Sequence, residues 1–128
     1  MKPSQHLEEF ERLIVESRII KNSLIKKRRI QQFEAYIKVR LTLIDDSVLD
    51  VTEYIQAAEE DNAQVKRYSY HWMDVSSQIL IRWDNVRHYP NLPNFPHHRH
   101  DGDEKNVRSC EPMNFFKVLD YIAIALKE

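Results

Sequence analysis

The chain has 128 residues and a formal net charge of −1, with 19 lysines and arginines against 20 aspartates and glutamates. That length fits one domain around one core, and a charge so near zero supplies no global field to attract nucleic acid or anionic lipid. Apolar content of 42% with 30% charged residues argues against disorder, no apolar run approaches the ~18 residues of a membrane span, and MKPSQHLEEFERL lacks the apolar stretch of a signal peptide. The single cysteine, Cys110, rules out an internal disulfide, suits a reducing cytoplasm and reads as a small buried hydrophobe. The only glycine, Gly102, leaves no phosphate-cradling glycine loop.

Residues 4–16 have the spacing of an amphipathic helix, with Leu7, Phe10, Leu13 and Ile14 on one side and Ser4 in position to cap it. Residues 18–27 predict a first strand with imperfect alternation, and the polar 28–34 a hairpin connection. Lys21, Lys26, Lys27, Arg28 and Arg29 cluster here. Five cations are few for a nucleic-acid footprint, so they read as a solvated strand end. The clearest strand follows: Ala35, Ile37, Val39, Leu41 and Leu43 alternate with Tyr36, Lys38, Arg40 and Thr42. Asp45–Ser47 is a turn, 48–54 a third strand, and 55–63 a loop with an acidic, solvated run. Residues 64–74 make a fourth strand. Tyr68, Tyr70 and Trp72 share its core side, and Arg67, Ser69 and His71 its other side. After a turn at 74–77, residues 78–84 return as a fifth strand, with Ile79, Ile81 and Trp83 opposite Arg82 and Asp84.

Pro90, Pro93 and Pro96 then exclude a helix and a central strand over 85–101, which should lie extended on the surface. This segment holds His88, His97, His98 and His100. A short extended piece at 106–109 and a C-terminal helix from near Pro112 complete the chain. Phe115, Leu119, Ile122, Ala123 and Leu126 form the helix stripe, widened by Phe116 and Ile124. The expected fold is α+β: a single domain over 1–128, with a twisted antiparallel sheet of about five strands and a helix at each end.

The run YSYHWMD, then RWDN, NFPHHRH and GDE resembles the TumE family, the toxin components of bacterial and archaeal toxin–antitoxin modules. The resemblance is carried by Tyr68, Tyr70, His71, Arg82, Trp83, Asp84, Asn85, His88, Pro90, Phe95, Pro96, His97, His98, Arg99, His100 and Glu104. It is strong over 68–104 and looser elsewhere. Tyr89 stands where the family often has a second histidine, and Ser76–Ser77 replace its usual turn glycine. The resemblance implies a small cytoplasmic toxin, of a type II module, neutralised by a companion antitoxin that is usually a helix-turn-helix protein.

The residue types allow three chemistries. RNA cleavage through a 2′-OH needs a base, an acid and cations for the phosphoryl oxygens. His71, His88, His97 and His98, with Arg82 and Asp84, are the candidate catalytic residues. Arg67, Arg99, Tyr70 and Asn85 are candidates for binding. No cofactor is required for this chemistry. His98 and His100 project to one side of an extended segment, a spacing that suits zinc or another divalent metal. The non-catalytic alternative is an interaction module whose histidine segment and C-terminal helix bind the antitoxin or a cellular target; the sequence leaves room for an oligomer.

Overall fold

Period-2 alternation builds one seven-stranded sheet in the computed structural model, which describes residues 1–127. Strands β1 (Ile20–Ile30), β2 (Glu34–Leu43), β3 (Val48–Ala57), β4 (Ala63–Met73), β5 (Ile79–Asp84), β6 (His98–Asp101) and β7 (Val107–Ser109) lie side by side in chain order, each antiparallel to the last. Helix α1 (Pro3–Glu16) precedes the sheet and α2 (Phe115–Leu126) follows it. The α+β class with flanking helices holds, but the sheet has seven strands rather than about five. The prolines do not interrupt the extra strands. Pro96 stands two residues ahead of β6, so His98–Asp101 keep every amide needed to bond β5 on one side and β7 on the other.

The β2 alternation appears as written: Ala35, Ile37, Val39, Leu41 and Leu43 are buried, while Lys38 and Arg40 are exposed. Leu49, Val51 and Ile55 of β3, Tyr68, Tyr70 and Trp72 of β4 and Trp83 of β5 join them in one cluster. Both helices cover this face. Leu7 and Phe10 of α1 and Phe115, Val118, Leu119 and Ile122 of α2 are buried against it, and Phe10 stacks on Phe115 at 4.3 Å. Fully burying each large aliphatic side chain contributes about 1.5–3 kcal/mol, so this face anchors the register of every strand.

Several boundaries differ from the sequence reading. β1 runs on to Ile30 and shortens the hairpin connection to residues 31–33. Its imperfect alternation reflects register shifts between Ile20 and Asn22 and between Ile25 and Lys27. β3 continues to Ala57, three residues past the expected end. Helix α1 opens on Pro3 rather than at Ser4, and the Lys2 amide donates to the Gln5 side chain at 2.7 Å. Helix α2 begins at Phe115, capped by Asn114, whose side chain accepts from the Lys117 amide. Phe116 and Ile124 are 62% and 57% exposed, so the buried stripe of α2 is narrower than the sequence pattern implied.

The β4–β5 turn is built on Asp74, whose Oδ1 accepts from the amides of Ser76 and Gln78. Ser77 there adopts φ 65°, the left-handed region in which a side chain costs energy and glycine does not. Ser77→Gly should therefore raise stability by about 0.5–1 kcal/mol and the thermal midpoint by about 2–4 °C. Calorimetry checks this, and an unchanged or lower midpoint contradicts it.

Candidate active site

On the face away from the helices, antiparallel pairing sets residues of successive strands into rows. One row runs Ser69–Asp84–His98 across β4, β5 and β6, and the next runs His71–Arg82–His100. The two rows meet in a cleft of about 350 Å³ that also takes in His88 and Tyr89 from the proline-rich segment. That segment leaves β5, passes over the end of the rows and re-enters the sheet as β6. Tyr89 sets its ring edge-on to His98, with centroids 5.0 Å apart. A larger cleft of about 710 Å³ lies around Gln31, Phe33 and Asn62 and contains no histidine.

Asp84 is the hub. It is 3% exposed, and a carboxylate removed from water to that extent needs partners on both oxygens. Oδ1 accepts from the Val86 amide at 3.0 Å and lies 2.9 Å from His98 Nε2. Oδ2 accepts from Arg82 Nε at 3.1 Å and lies 3.6 Å from His100 Nε2. Arg82 spreads its other nitrogens over Glu104 at 2.7 Å and His100 Nε2 at 3.1 Å.

Backbone carbonyls assign the ring protons. His98 Nδ1 is 2.9 Å from the Pro96 carbonyl, and His100 Nδ1 is 2.8 Å from the Glu104 carbonyl. A carbonyl only accepts, so both Nδ1 atoms carry hydrogen and both Nε2 atoms turn towards Asp84. His100 Nε2 can then accept from Arg82. The His98–Asp84 contact is attractive only with a proton between ring and carboxylate.

His71 borders the same cleft, and its Nε2 is buried with no hydrogen-bond partner. Burial, and then the Arg82 charge, hold its pKa below the ordinary histidine value, so the ring is neutral at neutral pH.

Of the residues singled out from the sequence, His71, Arg82, Asp84, His98 and His100 come together, with His88 exposed at the rim. His97 does not. It points to the core side, where its Nδ1 meets the Tyr68 hydroxyl at 2.7 Å and burial lowers its pKa. Adjacent residues of a strand face opposite ways, so His97 and His98 cannot both enter the cleft. The same rule takes Tyr70 to the core, where it is fully buried and donates to Glu53 at 2.5 Å. Arg99 pairs in register with Trp83 and bonds Asp101. Asn85 is a staple that accepts from the Tyr68 amide and donates to the Lys66 carbonyl. Arg67 stays on the polar face, its guanidinium 5.1 Å from the Tyr54 ring. Ser69, Tyr89 and Glu104 are site neighbours that were not singled out as site residues. Glu104 was legible as the acidic residue that closes the histidine run.

The family model described as Toxin TumE matches residues 10–126. The chain belongs to the TumE toxin family. The match takes in all seven strands and every member of the TumE cleft. No curated protein and no solved structure matches the chain. Among the described residues, no helix is long and apolar enough to cross a membrane. This TumE chain carries Tyr89, not a second histidine, over His98, and the cluster closes without one.

The depressed pKa of His71 has a signed consequence for stability. Below the ordinary histidine value the unfolded chain takes up a proton that folded His71 refuses, which favours unfolding. Its contribution is present above about pH 6.5 and is lost as pH falls through the lower folded value. His71→Gln should flatten that part of the curve of thermal midpoint against pH between about pH 7.5 and about pH 5. An equally steep acid limb in the variant would contradict the assignment.

Proposed function

We propose that this TumE toxin is a ribonuclease of a type II toxin–antitoxin module, neutralised by a companion antitoxin of the helix-turn-helix kind. The observation that carries the reading is the convergence in one cleft of three groups: a neutral histidine with an unpartnered nitrogen, a buried His98–Asp84 pair 2.9 Å apart, and Arg82. Cleavage of RNA by its own 2′-OH requires those three functions. His71 Nε2 takes the 2′-OH proton as that oxygen attacks the adjacent phosphorus. Arg82 stabilises the charge developing on the phosphoryl oxygens. As the bond to the 5′-oxygen breaks, the proton held between His98 and Asp84 passes to that oxygen. The products are a 2′,3′-cyclic phosphate and a 5′-hydroxyl. His88, exposed at the rim, can relay protons to solvent.

The test is cleavage of total RNA by purified protein, with and without chelator. The isosteric Asp84→Asn and the variant His71→Gln are run beside wild type, with folding checked by circular dichroism. Each general acid–base group contributes about 10²–10⁴-fold, so both folded variants should lose at least a hundredfold in rate. Cleavage by Asp84→Asn at the wild-type rate would sink the mechanism. Wild-type protein that arrests growth without cutting RNA would sink the ribonuclease reading and favour an interaction module.

One geometric feature favours a second reading, a divalent metal on Asp84, His98 and His100. Their ligand atoms lie within 4.8 Å of one another. Both imidazoles have Nδ1 pinned by a backbone carbonyl and Nε2 turned towards Asp84, the outer-sphere arrangement of metal-ligating histidines. Two imidazoles and a carboxylate suit zinc or a neighbouring transition metal. Arg82 opposes this, because its guanidinium already bonds Asp84 and His100 where a dication would sit. A metal would need Arg82 to turn out towards Glu104. Isothermal titration with Zn²⁺ decides. Stoichiometric binding lost in His100→Gln supports the metal, and no binding at neutral pH excludes it.

A further inference from the structure

The cationic cluster of β1 lies on an exposed strand end, as its composition implied. The strand splits it between two faces. Arg28 turns to the helices and bonds Glu11 of α1, while Lys27 and Arg29 turn to the same face as the histidine cleft. There they begin two rows across the sheet. One is Arg29–Tyr36–Tyr54–Arg67, from β1 to β4. The other is Lys27–Lys38–Thr52–Ser69–Asp84–His98, from β1 to β6.

We infer that these two rows form a track for single-stranded RNA, leading along the sheet into the Asp84–His98 pair; the inference rests on the ribonuclease reading and names its substrate class. The shape comes from side-chain size. Thr52 and Ser69 are short and lie between a taller row that ends in Tyr54 and Arg67 and the row holding Asp50 and His71. The result is a trough. Its first part, about 550 Å³, is lined by Lys27, Arg29, Tyr36, Tyr54 and Arg67. Its second part is the histidine cleft, and the two share Ser69 and Val86 in their walls. Four interstrand steps separate Lys27 from Asp84, about 19 Å at roughly 4.8 Å each, the length of a short oligonucleotide segment.

The chemistry of the trough is that of single-strand binding: cations for the backbone and aromatic faces for unpaired bases. Tyr36 and Tyr54 are half-buried neighbours on adjacent strands. Lys27 and Arg29 lie 5.5 Å and 5.9 Å from the Tyr36 ring. Arg40 is taken up by Asp50 through two bonds of 2.8 Å, and Arg29 has Glu34 at 3.5 Å. Among the described residues, Lys27, Lys38 and Arg67 have no carboxylate within 4.0 Å. These three cations are therefore available for phosphates. In a duplex the base faces are stacked on one another and cannot reach the tyrosine rings, so one strand fits and a duplex does not.

The test is fluorescence anisotropy with a labelled 2′-O-methyl oligouridylate of about ten nucleotides, a length within the usual range of single-strand sites and one that cannot be cleaved. Lys38→Ala, Arg67→Ala and Tyr54→Ala change exposed or half-exposed side chains outside the catalytic cluster. Each should weaken binding about tenfold, and each lysine or arginine variant should reduce the slope of log K against log salt by about 0.7. Lys105→Ala, an exposed cation off the track, should bind as wild type does. Unchanged binding by all three track variants, or tighter binding of a duplex RNA of the same length, overturns the inference. The two readings fail separately. Track variants that bind normally while Asp84→Asn abolishes cleavage overturn the track alone. Track-dependent binding with Asp84→Asn still cutting supports the track and overturns the ribonuclease mechanism.

Discussion

A carboxylate buried on the open face of a sheet is the constraint around which this end of the molecule is arranged. Moving an ion of that size out of water costs several kcal/mol even after relaxation, so Asp84 persists only because each neighbour answers it. Arg82 does so from its own strand, the Val86 amide from the first turn of the proline-rich segment, and His98 and His100 from the strand that segment delivers. The same contacts that neutralise Asp84 tie β6 to β5 and hold the Nε2 atoms inward. Structure and reactivity therefore share one set of bonds, and a substitution there disturbs both.

A second buried carboxylate shows what distinguishes the site. Glu53 stands on the core side of β3, 1% exposed, 2.9 Å from His6 Nε2 of α1 and 2.5 Å from the Tyr70 hydroxyl. Burial first, and then the Glu53 charge, hold the Tyr70 pKa well above the ordinary tyrosine value, so the hydroxyl keeps its proton and donates. That network lies on the helix-covered face and ties α1 to the sheet. The Asp84 network opens on a cleft with an unpartnered histidine nitrogen at its edge. Both carry a carboxylate and at least one histidine. Their difference is which face of the sheet they occupy, which alternation decides residue by residue.

Much of the fold was legible. The alternation at 35–43 placed five side chains in the core, and the aromatic run at 68–72 placed three more, because side-chain direction along a strand has period 2 whatever the strand pairs with. The same parity separated Arg67 and His71 from Tyr70. Parity also argued against a shared cleft for His97 and His98, but only once a strand was recognised there, and the prolines concealed it. Glu53 lay in plain view at a core-side position between Val51 and Ile55, and a charged residue at such a position is itself a signal of a buried network.

By itself the sequence determined the α+β class, the two faces of the central strands, the toxin family and the polar residue types of the site. Those follow from local chemistry: periodicity, turn residues and a motif carried by neighbouring positions. Only the tertiary structure decided that β6 is an interior strand, that His98 and His100 rather than His97 meet Asp84, and that Lys27 and Lys38 stand in the row leading there. Each depends on register between strands distant in the chain. A one-residue slip moves every side chain of a strand to the opposite face, and the buried aliphatic and aromatic residues that forbid the slip lie on the face away from the site.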